Sequence, residues 1–170
     1  LCMGTVLPLS ILILDNGSAE DDFEFLKNNV FSTGSEKVKL YRSEDNLGFA
    51  QGSNVLIDKA FENADCQFVL LLNNDAVAKP RLLDALYVAC TGRNGKVQMA
   101  GARMHKLHAP DKVDTLGIAV YASLMPADRQ TTDDPFMGPT GGCALLGKSL
   151  LDEFKLIPSY TQIYFLYCFL

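Results

Sequence analysis

Three short stretches of this chain place carboxylates, carboxamides and glycines where they could hold a phosphorylated ligand. In the first, the apolar run Leu70-Leu71-Leu72 ends abruptly in Asn73-Asn74-Asp75. A buried strand that delivers a carboxylate at its carboxyl end is where open α/β sheets place ligand chemistry. Asp75 beside two amides suits a divalent cation gripping a diphosphate. Mg²⁺ typically takes only one or two protein carboxylates and completes its shell with phosphate oxygens and water. The competing reading is a turn that merely caps the approach to Pro80.

The second stretch, Asp15-Asn16-Gly17-Ser18, consists wholly of favoured turn formers. Asp15 would also accept hydrogen bonds from a nucleobase N–H or a ribose hydroxyl, and an ionised acceptor makes such bonds stronger. In the third, Asn46, Gly48, Gly52 and Asn54 bracket a turn and the start of a helix, where free backbone N–H groups can face a phosphate. The spacing is not G-x-G-x-x-G and no acidic ribose ligand follows at the required distance, which disfavours a dinucleotide fingerprint. The plain alternative is a loop-to-helix cap with Asn54 packed inward. His105 and His108 lack a cysteine or carboxylate at metal-ligand spacing and are given no role.

These stretches need a scaffold of alternating strands and helices. Leu9 to Leu14 reads as a buried strand, Glu20 to Asn29 as a helix with acidic residues early, and Val38 to Arg42 as a second strand. Phe49 to Asn63 carries Ala50, Ile57, Ala60 and Phe61 as a rough helical stripe. Gln67 to Leu72 is expected to be the central strand. Pro80 at a first helical position would open a helix with Leu82, Leu83, Leu86 and Cys90 on one side, followed by a strand at Val97 to Gly101. Asp111 to Tyr121 reads as a hairpin or edge strand, Ala122 to Pro135 as a mobile polar loop, Cys143 to Leu146 as another apolar run and Lys148 to Phe154 as a short helix. This alternation argues for an α/β fold with a mostly parallel sheet covered on both faces, and it would put Asp15 and Asp75 on the same sheet edge.

Composition narrows the functional classes. The chain has 170 residues, enough for a single domain over residues 1–170, and nearly half are apolar (48 %). A formal charge of -5 without a basic run gives no footprint for nucleic acid or an anionic membrane. The five cysteines are scattered and odd in number, which fits a reducing, cytoplasmic setting. The apolar opening Leu1 to Leu14 contains Pro8, is shorter than a span and has no basic flank, so no transmembrane segment is expected. Both ends read as cut.

Taken in order, Asp15-Asn16-Gly17-Ser18, Asn46-Leu47-Gly48-Phe49-Ala50-Gln51-Gly52-Ser53-Asn54 and Leu70 to Asp75 resemble the family 2 glycosyltransferases, in particular the rhamnosyltransferase-like branch. Gly138-Pro139-Thr140-Gly141-Gly142-Cys143-Ala144 with Lys148-Ser149 is similar to the glycine-rich segment before the acceptor side of that fold. The resemblance spans Leu9 to Tyr167. It implies a GT-A fold and a nucleotide-sugar donor (UDP- or dTDP-sugar), with Mg²⁺ or Mn²⁺ as cofactor. It further implies a glycan or lipid-linked acceptor and inversion at the anomeric carbon, in polysaccharide biosynthesis. By the same resemblance Asp15 contacts the base, Asn46, Gly48 and Asn54 line the nucleotide pocket, and Asn16 and Asn74 count among the substrate-binding residues. Asn73-Asn74-Asp75 takes the D-x-D position, with Asp75 the metal ligand. A site at the inner face of the membrane, reached by peripheral association, is compatible with such an acceptor.

Three departures from the family pattern accompany the resemblance. The extra apolar strand and nucleotide-contacting loop that normally precede the D-N-G-S strand have no clear counterpart. Asn73 replaces the first Asp of D-x-D. The aromatic run Tyr164-Phe165-Leu166-Tyr167 continues as Cys168-Phe169-Leu170 rather than as the Glu-Asp pair that supplies a general base. General bases contribute about 10²- to 10⁴-fold to such rates. The catalytic residue is therefore unassigned, and the alternative expectation is an inactive, incomplete remnant that at most binds a nucleotide. A nucleotidyltransferase, which needs a basic glycine-rich loop near the first strand, is disfavoured.

Overall fold

A βαβα unit opens the described chain. The computed structural model describes residues 8, 10–92 and 98–155, which group into two compact units, Pro8–Cys66 and the described residues from Gln67 onward. The expectations placed on Leu1 to Leu7, Leu9, Val97 and Tyr164 to Leu170 lie outside the described residues.

In the first unit β1 (Ile11–Asn16) pairs in parallel with β2 (Val38–Ser43), from Ile11 opposite Val38 to Asn16 opposite Ser43. A parallel pair cannot be closed by a tight turn, and α1 (Glu20–Ser32) supplies the crossover. Glu20, Asp21 and Asp22 sit in its first turn, where negative charge opposes the positive end of the helix dipole. The second helix, α2 (Gly48–Phe61), packs on β1 and buries Ile57. Gly52 makes that approach close, because a Cβ there would lie 3.2 Å from the Leu14 side chain.

The second unit is built around a three-stranded sheet in the order β3 (Phe68–Leu72), β9 (Cys143–Gly147), β4 (Met99–Gly101), and both pairings are antiparallel. Two antiparallel hairpins, β5 (Met104–Lys106) with β6 (Ala109–Thr115) and β7 (Ile118–Val120) with β8 (Pro126–Asp128), lie between β4 and β9 in sequence. Helices α3 (Leu82–Thr91) and α4 (Lys148–Lys155) complete the unit, and α3 contacts both β4 and β9.

The molecule is thus α/β, but β1–β2 is the one parallel pair among the described residues. The central strand also differs from the expectation. Every residue of β3 is half-buried and β3 is an edge of its sheet, whereas all five residues of β9 are buried. An apolar run reports burial without reporting neighbours, and β9, from the far end of the chain, takes the central place. Phe68, Leu70 and Leu72 alternate onto the face where Leu86 and Cys90 of α3 meet Cys143 and Leu145. Packing of α4 against β9 accompanies burial of Leu151.

Helix α3 starts at Leu82, with Arg81 as its N-cap at φ 65°, so Pro80 stands before the helix rather than in its first turn. Its expected apolar side holds: Leu83, Leu86 and Cys90 are buried. The segment Ala122 to Pro135, expected as a mobile polar loop, instead carries β8 and a closed network. Arg129 donates to the Asp134 and Thr132 carbonyls at 2.9 and 2.5 Å and lies over the Phe136 ring. The Asp134 carboxylate accepts from the Thr131 and Gln130 backbone N–H groups at 2.9 and 3.2 Å.

Candidate functional site

The end of β1 carries the first group of candidate residues. Asp15 is 4 % exposed, and the β1–β2 register sets Arg42 directly opposite it. Arg42 Nε lies 3.3 Å from Asp15 Oδ2, within ion-pair reach, yet the geometry is not that of a hydrogen bond, and Oδ2 has no hydrogen-bond partner among the described residues. The guanidinium is held from its other sides by Glu20, 2.8 Å from Nη1, by the Ser18 carbonyl, 3.5 Å from Nη2, and by the Phe23 ring, 4.0 Å from Cζ. Arg42 was not among the candidates read from the sequence. Its place opposite Asp15 comes from the strand register, which neither strand's own sequence states.

Asn16 and Asn46 come together. The Asn16 carboxamide nitrogen donates to Asn46 Oδ1 at 3.2 Å and to the Gly48 carbonyl at 3.3 Å, while its oxygen accepts from the Leu47 N–H at 2.9 Å. Asn46 Oδ1 also accepts from the Gly48 N–H at 2.9 Å. The loop lies so close to Gly17 that a Cβ there would stand 2.7 Å from Asn46 N, and Gly17 (φ 81°) and Gly48 (φ 71°) both occupy the left-handed region that glycine enters at little cost. Asn54 sits half-buried on α2. The Asn16 and Asn46 amides therefore build the loop with each other rather than standing out from it.

The second group follows β3. The Asn73 N–H donates to the Gly142 carbonyl at 3.1 Å, and the Asn73 carbonyl accepts from the Ala76 N–H at 3.2 Å, which closes a turn with Asn74 and Asp75 at its centre. Asn73, Asn74 and Asp75 are all exposed, and the Asp75 carboxylate has no hydrogen bond or ion pair among the described residues. The glycine-rich segment anchors this turn. Gly138, Pro139 and Gly141 are buried, and Gly101 must lack a Cβ because one would lie 2.7 Å from the Pro139 side chain.

No group of three or more His, Cys, Asp or Glu residues gathers to cage a metal among the described residues. Asp75 offers one free carboxylate with carboxamides beside it. That donor set fits Mg²⁺ or Mn²⁺ only where phosphate oxygens and water complete the shell. His105 donates from Nδ1 to the Pro110 carbonyl at 2.7 Å, and His105 and His108 are both exposed. No helix among the described residues is long and apolar enough to cross a membrane.

Thus the structure has a carboxylate held by Arg42 at the end of one strand, a loop clasped by amides beside it, and a free carboxylate on a tight turn after another strand. No curated protein matches the sequence. The family model for Glycosyl transferase family 2 matches residues 2–154, and the chain belongs to that family.

Proposed function

We propose that this chain binds a nucleoside-diphosphate sugar and transfers the sugar, with inversion, to a hydroxyl of a glycan or lipid-linked acceptor, as a member of the rhamnosyltransferase-like branch. The family supports glycosyltransferase activity in general. The observation that carries the donor reading is Asp75: exposed, unpaired among the described residues and fixed on a turn whose backbone is tied to Gly142.

In this reading Asp75 is the ligand of Mg²⁺ or Mn²⁺, Asn73 lies near the ribose or a metal-bound water, and Asn74 belongs to the substrate-binding residues. The metal, when bound, neutralises charge developing on the departing diphosphate. Asn46, Gly48 and Asn54 line the nucleotide pocket. Asp15 contacts the base, accepting the imide N–H of uracil or thymine. The general base is not assigned among the described residues.

Calorimetric titration with UDP and with dTDP, each with and without Mn²⁺, tests this reading. Metal-dependent binding by the parent chain that is lost in Asp75→Ala is the expected result. Equal binding by Asp75→Ala and the parent in the presence of Mn²⁺ would remove Asp75 from the metal site, and absence of binding in every condition would overturn the donor reading.

A further inference from the structure

Asn16 is the most heavily connected side chain at the end of β1. A carboxamide offers two N–H donors and two acceptor lone pairs. The loop after β2 takes three of those four: Asn46 Oδ1 and the Gly48 carbonyl accept from the nitrogen, and the Leu47 N–H donates to the oxygen. A side chain so committed has one lone pair left for a ligand, which is a poor basis for a contact residue. It is a good basis for holding something else in place.

What it holds is narrowly shaped. Residues 45 and 46 press against Gly17, at 2.7 Å from an ideal Cβ, and a Cβ on Gly52 would stand 3.5 Å from Asn16 Nδ2 on the other side. Asn46 is bonded both to Asn16 and to the Gly48 N–H. The loop therefore has backbone against Gly17, a carboxamide clasp at three points, and a left-handed glycine at the start of α2.

We propose that Asn16 is a positioning residue: through the Leu47 N–H and the Gly48 carbonyl it fixes the 46–48 loop, ahead of any ligand, in the shape that receives the nucleotide. This rests on the reading of that loop as part of a nucleotide pocket. The thermodynamic consequence is preorganisation. Without the clasp the loop spends only a fraction of its time in the competent shape, and the apparent dissociation constant rises by the inverse of that fraction. Loss of three partly solvated hydrogen bonds predicts a weakening of about tenfold.

The test uses the full chain with Asn16→Ala and Asn16→Asp, titrated with UDP in the presence of Mn²⁺, together with amide hydrogen exchange at Leu47 and Gly48. Asn16→Asp keeps the acceptor for the Leu47 N–H but sets a second carboxylate oxygen against Asn46 Oδ1 and the Gly48 carbonyl, so it opposes the clasp and serves should Asn16→Ala fail to fold. Expected are faster Leu47 exchange and affinity about tenfold weaker in Asn16→Ala, faster exchange and weaker affinity in Asn16→Asp as well, and recovery of Leu47 protection in Asn16→Ala at saturating UDP. Faster exchange with unchanged affinity in a folded variant would make the clasp merely structural and overturn the proposal. Weaker affinity with unchanged exchange would make Asn16 a ligand contact and overturn it equally. Failure of the parent chain itself to bind UDP or dTDP would instead overturn the nucleotide reading on which the proposal rests.

Discussion

Arg42→Ala would leave the Asp15 carboxylate buried with no cation beside it. The Asp15 side chain is 2 % exposed and that of Arg42 32 %. Removing one member of a buried ion pair costs about 3–5 kcal/mol, and access of water to the Arg42 side brings this nearer to ~2–3 kcal/mol. Contact with the Phe23 ring at 4.0 Å adds about 0.5–1 kcal/mol, while the bond to the largely exposed Glu20 adds little. The expected total, about 3 kcal/mol, corresponds to a drop in unfolding temperature of roughly 6–12 °C for a chain of this size. Thermal unfolding followed by far-ultraviolet circular dichroism measures it. The double variant Asp15→Asn/Arg42→Ala removes the stranded charge and should recover about 1–2 kcal/mol of the loss. A single variant within about 0.5 kcal/mol of the parent, or a double variant no more stable than the single, would refute the view that Asp15 is a buried charge kept by Arg42.

Two further outcomes follow from the second unit. Leu145→Ala empties a 4 % exposed position at the middle of β9 and should cost about 2–5 kcal/mol in urea unfolding, more than Leu70→Ala on the half-buried edge strand; the reverse order would deny β9 its central place. The Asp134 carboxyl is held below the ordinary aspartate value of 3.8, chiefly by the Thr131 backbone N–H, with Gln130 and the Tyr121 hydroxyl adding to it against a partial opposition from burial. A depressed folded value means that the bond's contribution is complete above the ordinary value and is lost as pH falls through the lower one. An NMR titration of Asp134 should therefore give a midpoint under 3.8, and a midpoint at or above it would refute the network around residues 129–136.

Much of the secondary structure was legible because local signals sufficed. Glu20 opens α1, Val38 opens β2, Cys143 opens β9 and Lys148 opens α4 where turn residues and apolar runs placed them. The sheet order was not legible. The runs Phe68–Leu72 and Cys143–Gly147 are similarly apolar, and nothing in either says which has strands on both sides. The candidate residues were legible as types and spacings, but their commitments were not. Asn16 and Asn46 read as ligand contacts until their amides are seen bonded to one another, and Arg42 gained meaning only from the strand register that sets it against Asp15. A sequence displays hydrogen-bonding capacity; only the fold shows how much of it is already used.

The position of β9 also bears on how the chain is born. Strands β3 and β4 both precede it, and the roughly 40 residues separating Gly101 from Cys143 occupy a ribosome for about 2–8 s at ordinary elongation rates. Throughout that interval both strands lack the partner that joins them, and open strand edges invite association with other chains. The β1–β2 pair is under no such delay, since its two strands are separated only by α1 and short loops and can close once Ser43 has emerged. The nascent chain thus passes through a stage in which its first unit is formed while its second waits on a five-residue strand, and cleavage or termination between Gly101 and Cys143 would leave that second sheet without its keystone.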